Sequence, residues 1–258
     1  MARTDSIKVA QEILDQFYVE EIEDIDLIEI ASYYDIIVQD VTMKNADGRI
    51  VFGKEKAIIS INENISYSPR KRFTLAHELG HYFLHREDIH IHNDNFLTLD
   101  TFKAGSQETE ANLFASELLM PQKFFIPITK SEPFSPDLLR RMSTHFNSSL
   151  TSVVFKYQQF GNHPIFIFFC RNNKVEYWIP PHDFFIKVKD IKNLTPPFGS
   201  VAYEFFSEGT IYPAEESKQY IFKSEWFELN YDEVDSEVCE YCIVSPNFNT
   251  ALSVVWIE

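Results

Sequence analysis

The sequence predicts an α+β protein, with a helical domain and a small antiparallel sheet over residues 1–161 and a β-rich, acidic domain over residues 162–258. Apolar residues recur at helical spacing in several segments before residue 161, whereas short runs of β-branched and aromatic residues dominate after it. The acidity is concentrated at the end, since residues 200–258 hold two lysines and twelve Asp and Glu residues.

The composition excludes several classes of protein. The chain has 258 residues, 45% of them hydrophobic, which is typical of a globular protein and not of a disordered or fibrous one. A net charge of −16 repels phosphate, so we expect no direct binding of nucleic acid. Three cysteines, no basic and apolar leader and no bilayer-length apolar run predict a cytoplasmic protein without a membrane partner.

The first part of the chain alternates helices and strands. Periodicity and β-branched runs predict two helices and two strands, over residues 6–18, 26–34, 36–38 and 57–62. Asp47-Gly48 is typical of a hairpin turn between Val41 and Ile50, which favours an antiparallel sheet. If residues 58–62 lie at a sheet edge, they could bind an extended peptide by strand addition, and the alternative is a core strand.

Two long helices follow. The first is predicted to begin with Ser68 as its cap and Pro69 in its first position and to run to residue 85. The second spans residues 106–120 and ends at Pro121. Two shorter helices then give residues 136–160 a helix-turn-helix outline. Its basic residues are too sparse for DNA, so we expect helical packing or substrate docking there.

The domain after residue 161 is predicted to contain strands over residues 165–169, 175–179, 184–188, 220–222 and 252–257. Cys239 and Cys242 form a C-x-x-C motif without a second pair, in a strand-like context, and we interpret both as core cysteines. The three tryptophans are interpreted as core anchors.

His77-Glu78-Leu79-Gly80-His81 forms an H-E-x-x-H motif inside the first long helix. At 3.6 residues per turn, the two imidazoles lie one above the other and can bind one metal ion. Two neutral imidazoles and a carboxylate suit Zn²⁺ with an open position. Glu78 can take a proton from a metal-bound water and deliver it to the leaving amine, so it is the candidate catalytic base.

A third ligand is needed, and the nearest histidine does not fit. His85 lies about 12 Å along the helix from His77, too far for one straight helix to wrap three ligands. His90 and His92 lie on an acidic, loop-like stretch, where surface positions are the expected alternative.

The second long helix offers a better ligand. Glu108 extends the apolar face that includes Ala111 and Phe114, and a buried carboxylate is costly unless it meets a cation. Asn112, one turn later, can hydrogen-bond a ligating side chain. Glu110 is expected to share the solvent side with Glu117 as a solubilising charge. We therefore assign His77, His81 and Glu108 as the metal ligands.

The motifs resemble those of the ImmA/IrrE metallo-endopeptidases. The similarity is carried by residues 72–81 (RFTLAHELGH), 108–115 (ETEANLFA) and 118–121 (LLMP), and it extends over residues 5–159. It implies a gluzincin-like protease with one Zn²⁺ per chain, bound at His77, His81 and Glu108, with Glu78 as the base. Such proteins typically cut a helix-turn-helix (XRE-type) repressor, relieving repression in stress or mobile-element responses.

Some questions stay open at the level of sequence. Tyr67, Arg72, His145 and His163 are alternative donors to the oxyanion. The second domain is expected to be sensory or to bind a partner, because some relatives carry a GAF-like module there. The alternative function is a non-proteolytic, metal-containing interaction protein that sequesters a basic DNA-binding partner; structural zinc sites usually have four protein ligands, which favours the protease.

Overall fold

The computed structural model describes residues 2–53, 56–86, 92–93, 106–182, 186–189, 194–213 and 217–258. Helices and sheets both contribute, and the second part is rich in strands, so the α+β fold class is confirmed. Within these ranges, no helix combines the length and the apolar character needed to cross a membrane. The chain forms two compact units, Met1–Ile128 with Arg141–Ser152 and Thr129–Arg140 with Val153–Glu258. The predicted boundary after residue 161 stays a prediction.

The first part of the chain wraps helices around a small sheet. Its elements are, in order, α1 (Ala2–Gln16), a short 3₁₀ turn (Ile22–Asp24), α2 (Leu27–Tyr33), β1 (Ile36–Val41), β2 (Gly48–Phe52), β3 (Ala57–Asn62), α3 (Ser68–His85), β4 (His92–Asn93), α4 (Ser106–Leu119) and α5 (Gln122–Ser131). Asp26 caps α2 by accepting from the backbone amides of Ile28 and Glu29. The sequence interpretation missed α5, which contains Pro127.

The four-stranded sheet has the order β1-β3-β2-β4. β2 is antiparallel to β3, whereas β1 is parallel to β3, so the sheet is mixed. The predicted hairpin at Asp47-Gly48 is wrong, because β1 and β2 flank β3 and do not pair with each other. Since both edges of β3 are paired, the idea that residues 58–62 bind a peptide by strand addition is also wrong.

The predicted bounds of α3 agree with the structure, but its cap does not. Tyr67 is the N-cap and makes no side-chain capping bond, so the expected capping by Ser68 is wrong, while Pro69 lies in the first turn as expected. A bidentate ion pair joins the helix to the sheet: the Arg70 guanidinium donates to both carboxylate oxygens of Asp47 at 2.7 Å. This contact fixes the start of α3 against the segment that leads into β2.

α4 packs against both α3 and α1. Its predicted apolar face is confirmed, since Ala111, Phe114, Ala115 and Leu118 are fully buried. The expectation that Glu117 faces solvent is wrong. Glu117 is 0% exposed and accepts hydrogen bonds from the backbone amide of Gln122 at 3.0 Å and from the Gln11 side chain at 3.0 Å. α4 has a second packed face, because α1 covers the side of the helix that its apolar stripe alone predicts to be exposed to water.

The later part of the chain contains α6 (Pro136–His145), α7 (Leu150–Phe160), β5 (Phe166–Arg171), β6 (Lys174–Ile179), α8 (Val201–Glu208), β7 (Lys218–Phe222), α9 (Lys223–Trp226), β8 (Glu237–Ser245), a short 3₁₀ turn (Pro246–Phe248) and β9 (Thr250–Trp256). The five strands form an antiparallel sheet in the order β6-β5-β9-β8-β7. The predicted strand over residues 184–188 falls partly outside the described residues. α8 and α9 were not predicted, whereas β8 agrees with the strand-like context expected around Cys239 and Cys242.

One face of this sheet carries an aromatic core. Trp226 is fully buried and stacks on Phe168, with ring centroids 4.0 Å apart. Cys170, Cys239 and Cys242 are free thiols and all are buried, so the interpretation of the C-x-x-C motif as core cysteines is confirmed. Desolvation raises the pKa of the Cys170 thiol well above its usual value, so this thiol stays protonated and unreactive.

Candidate metal centre

The site is built where α3 and α4 approach closely. A Cβ added at Gly80 would lie 3.0 Å from the Cα and 3.0 Å from the carbonyl oxygen of Ala111, so no larger residue fits without moving backbone. Gly80 is the residue before His81 and lies opposite the helix that carries Glu108. The absence of a side chain at Gly80 therefore lets the two helices bring their polar side chains together.

Three candidate ligand atoms converge between these helices. The Nε2 atoms of His77 and His81 are 3.0 Å apart. Each carboxylate oxygen of Glu108 lies 3.2 Å from one of these nitrogens. Among the residues that the structure describes, His77, His81 and Glu108 are the group whose ligand atoms lie within 4.8 Å of one another. The structure thus brings together the three side chains assigned as ligands from the sequence.

The hydrogen bond on the far side of His77 fixes where its proton lies. Nδ1 of His77 is 2.9 Å from Oδ1 of Asn112, and an amide oxygen accepts only. His77 therefore donates from Nδ1, and in the neutral ring its Nε2 carries a lone pair that faces the cluster. Asn112 thus contacts a ligand side chain, as its spacing from Glu108 indicates.

The electrostatics of the cluster favour a cation. Burial raises the pKa of Glu108, but when His77 and His81 are protonated and no metal is bound, hydrogen bonds from the two rings and their charges outweigh burial and hold that pKa well below its usual range. A bound metal ion would supply this positive charge in place of the ring protons. Glu108 is therefore an anion whose oxygens face two ring nitrogens. Carboxylate and imidazole are common ligands of divalent metal ions, so this donor set fits a metal ion on its own chemistry.

Glu78 lies beside the cluster along α3 and is fully buried. Its carboxylate lies close to Gly48 at the start of β2. Glu78 follows His77 directly, so its side chain leaves the helix about 100° around from that ligand. The sheet therefore sets the position of this carboxylate independently of α4.

The surroundings of His81 include two residues that the sequence analysis placed differently. His85 is buried, and its Nδ1 lies 3.1 Å from Nδ1 of His81. Its Nε2 lies 3.0 Å from a carboxylate oxygen of Glu110. The interpretation of Glu110 as a solubilising surface charge is therefore wrong. The spacing of four residues from His81 to His85 was the available signal, because it puts both rings on one stripe of α3.

The remaining candidate residues have varied positions. His90 and the side chain of His92 lie outside the described residues. Tyr67 is exposed, and His145 packs edge-on against Phe146.

Two further oxyanion candidates have their own partners. Arg72 donates to the Phe146 carbonyl at 2.8 Å and lines a cavity of about 550 Å³ bounded by α2 and β1, and burial lowers its pKa. His163 stacks on Phe134, and its Nε2 lies 3.0 Å from the Ile257 carbonyl oxygen. The oxyanion donor therefore stays unassigned.

The His-Glu-x-x-His motif and the converging glutamate are typical of metallopeptidases, and comparisons with known proteins point to the same class. Residues 31–157 match the family described as the IrrE N-terminal-like domain. The chain is 28% identical over 148 residues to metallopeptidase ImmA of Bacillus subtilis (strain 168), a match that covers 53% of this chain and 78% of that protein. Both similarities support membership of the ImmA/IrrE family of metallopeptidases, through the segment that they share. The resemblance seen in its motifs is confirmed.

A solved structure extends the comparison of folds. The structural match to a Mycobacterium tuberculosis transcriptional regulator covers 98% of this chain and 76% of the regulator's chain, with a TM-score of 0.63 and 12% sequence identity. At that identity the similarity concerns the fold alone. It covers both the part that carries the His-His-Glu cluster and the part rich in strands.

Proposed function

We propose that this protein is a cytoplasmic zinc-dependent endopeptidase, with one Zn²⁺ per chain held by His77, His81 and Glu108. The observation that carries the proposal is the convergence of these three side chains within 4.8 Å. Zinc suits two imidazoles and a carboxylate. Three protein ligands leave a fourth position open, which is typical of catalytic zinc sites, whereas structural sites usually have four.

The proposed chemistry is hydrolysis of a peptide bond, with Glu78 as the catalytic base. Zinc, when bound, would polarise the scissile carbonyl and make a coordinated water acidic. Glu78 would accept the proton of the attacking water and pass it to the leaving amine. The position of Glu78 supports this role, because its buried carboxylate follows the ligand His77 directly and is shielded from bulk water.

The proposed substrate is a helix-turn-helix (XRE-type) transcriptional repressor, cut at a specific site to relieve repression in a stress or mobile-element response. A metallopeptidase family implies a protein substrate. The net charge of −16 supports a basic partner, such as a DNA-binding protein, because opposite charges speed association. We propose docking of this partner on residues 136–160 and a sensory or partner-binding role for residues 162–258.

The first test measures zinc by elemental analysis in the wild-type protein and in Glu108→Ala. We expect about one zinc per chain in the wild type and little in the variant, because two imidazoles alone bind zinc weakly. The second test incubates the protein with the helix-turn-helix repressor encoded nearest to its gene and identifies products by mass spectrometry.

Glu78→Gln separates chemistry from metal binding. This variant is expected to keep its zinc and to lose cleavage, whereas Glu12→Gln, on the exposed surface of α1, should match the wild type in both. Cleavage at the wild-type rate by Glu78→Gln would disprove the mechanism. A well-folded wild type that contains no zinc and binds the repressor without cutting it would favour the interaction protein instead.

A further inference from the structure

His81 is connected on its outer side to a second pair of residues, His85 of α3 and Glu110 of α4. The Nδ1 atoms of His81 and His85 are 3.1 Å apart, and the Nε2 of His85 is 3.0 Å from a carboxylate oxygen of Glu110. Both histidines are at least 95% buried, while the Glu110 side chain is 23% exposed. The three side chains therefore form one chain of hydrogen bonds that runs from the cluster toward the surface.

The direction of each bond in this chain follows from the carboxylate at its end. An ionised carboxylate accepts only, so Nε2 of His85 must carry the proton that bonds to Glu110. In the neutral His85 ring, Nδ1 is then an acceptor. The contact between the two Nδ1 atoms therefore needs a proton on His81, which donates from Nδ1. With His85 neutral, His81 is the ring that supplies this proton.

This assignment leaves the lone pair of His81 on Nε2, the nitrogen that lies 3.0 Å from Nε2 of His77 and 3.2 Å from Glu108. The opposite tautomer would put an N–H group into the cluster, where it would occupy the place of a cation. Asn112 fixes the same tautomer at His77 with a single amide oxygen. Both rings thus present the lone pair of Nε2 to the cluster. Asn112 orients His77, and His85 with Glu110 orients His81.

We propose that His85 and Glu110 are positioning residues that hold His81 in its ligating tautomer and orientation. This inference rests on the proposed function, because it gives the pair a role toward the proposed metal ion. Outer partners of metal-bound histidines fix the tautomer and the ring plane, and their loss typically lowers metal affinity about 10- to 100-fold. Neither residue is expected to touch the substrate.

The experiment compares metal binding in the full chain of four variants, using Zn²⁺ competition against a chromophoric chelator and the visible absorption of the Co²⁺-loaded protein. His85→Phe keeps a ring and removes the acceptor. Glu110→Ala removes the carboxylate at a half-buried position, where the fold tolerates change better. Glu110→Gln retains an acceptor oxygen. Tyr82→Phe removes a hydroxyl of α3 that contacts Tyr34 and Arg86, and serves as the matched control.

We expect His85→Phe and Glu110→Ala to bind Zn²⁺ about 10- to 100-fold more weakly and to shift the Co²⁺ spectrum. Glu110→Gln and Tyr82→Phe should stay within about threefold of the wild type, because the acceptor chain is intact in both. Thermal unfolding of the metal-free proteins identifies a variant that is merely misfolded, and Glu110→Ala then carries the test.

Two outcomes would overturn the inference while leaving the proposed function intact. In one, the wild type binds Zn²⁺ and both disruptive variants bind it equally well, with unchanged Co²⁺ spectra. In the other, only His85→Phe is weakened, which would indicate packing and not a hydrogen-bonded pair. A wild type that binds neither Zn²⁺ nor Co²⁺ overturns the proposed function and the inference together.

Discussion

Gly48 leaves the space that the Glu78 carboxylate occupies: a Cβ at position 48 would lie 2.7 Å from Oε1 of Glu78 and 2.5 Å from Cγ2 of Thr74. Carbon and oxygen atoms that are not bonded do not pack so closely, so a larger residue must displace one of its neighbours. Thr74 and Glu78 belong to the same helix, and Gly48 begins β2. The sheet therefore limits where the proposed base can lie.

We expect Gly48→Ala to lower the rate of peptide cleavage by about 10-fold or more, since a displacement of about 1 Å in a catalytic group can cost 100-fold. Zinc content should stay near that of the wild type, because the atoms nearest to a Cβ at position 48 belong to Thr74 and Glu78, which are not proposed ligands. Thr74→Ser is the matched control; it removes the methyl group and keeps the hydroxyl that donates to the Arg70 carbonyl. Normal cleavage rates in Gly48→Ala would contradict this role.

Gly80→Ala should weaken zinc binding by moving α4 away from α3. The added Cβ would meet backbone atoms of Ala111 at 3.0 Å, and backbone cannot yield as a side chain does. We expect a loss of about 1–3 kcal/mol in the free energy of unfolding of the metal-free protein. Denaturant titration and chelator competition measure the two effects. Unchanged zinc affinity would show that the cluster tolerates wider helix spacing.

Glu117→Ala should lower the free energy of unfolding by about 2 kcal/mol, because it removes the acceptor of the Gln122 backbone amide in a buried place. Glu117→Gln keeps an acceptor oxygen and should cost less. Glu12→Ala, an exposed glutamate of α1, should change stability by less than about 0.5 kcal/mol. Equal effects of Glu117→Ala and Glu12→Ala in urea denaturation would contradict the structural role of Glu117.

Glu240→Gln should stabilise the protein at neutral pH. Glu240 is fully buried on β8, and desolvation raises its pKa above the ordinary value of 4.5. The folded state therefore keeps this proton where the unfolded state has lost it, so wild-type stability falls as pH rises from about 4.5 toward the raised pKa. Above the raised pKa, the loss in the free energy of unfolding is complete and no longer changes with pH.

The amide of Glu240→Gln does not ionise, so the variant avoids this loss of stability. Its oxygen can still accept a hydrogen bond from the Gln219 side chain, whose Nε2 lies 3.1 Å from the Glu240 carboxylate in the wild type. A gain of about 1 kcal/mol raises the melting temperature by about 2–4 °C for a chain of this size. The gain should vanish below pH 4. Glu237→Gln, exposed on the same strand, is the control. A melting temperature at pH 7 equal to or below that of the wild type would be the contrary result.

Local signals were sufficient for the elements that carry the site. The i and i+4 spacing of His77 and His81, together with Pro69 and Pro121, defines two helices and a metal-binding face without any knowledge of neighbours. Glu108 was found because it extends an apolar stripe. Even α8 has local signals, with Ser200 as its N-cap and Gly209 in the left-handed region at its end, although the sequence analysis missed them.

Long-range contacts account for most of the errors. The sequence shows one apolar stripe on α4, which predicts one packed face and leaves Glu110 and Glu117 exposed to solvent. In the structure, α4 is covered from two sides, by α3 and by α1. The order of the four-stranded sheet was missed for a related reason. A turn signal at Asp47-Gly48 reports a local bend, but it does not reveal that the two strands beside it pair with β3.

α4 supplies Glu108, Glu110 and Asn112 within five residues, and these contact His77, His81 and His85 of α3. The proposed zinc site would therefore exist only while α3 and α4 are packed together, and bound zinc would cross-link the two helices. Zinc supply would then govern how long the protein lasts in a cell. Without zinc, the two helices would separate more readily and expose the chain to other proteases, so a shortage of zinc would lower the amount of the protein as well as its proposed activity.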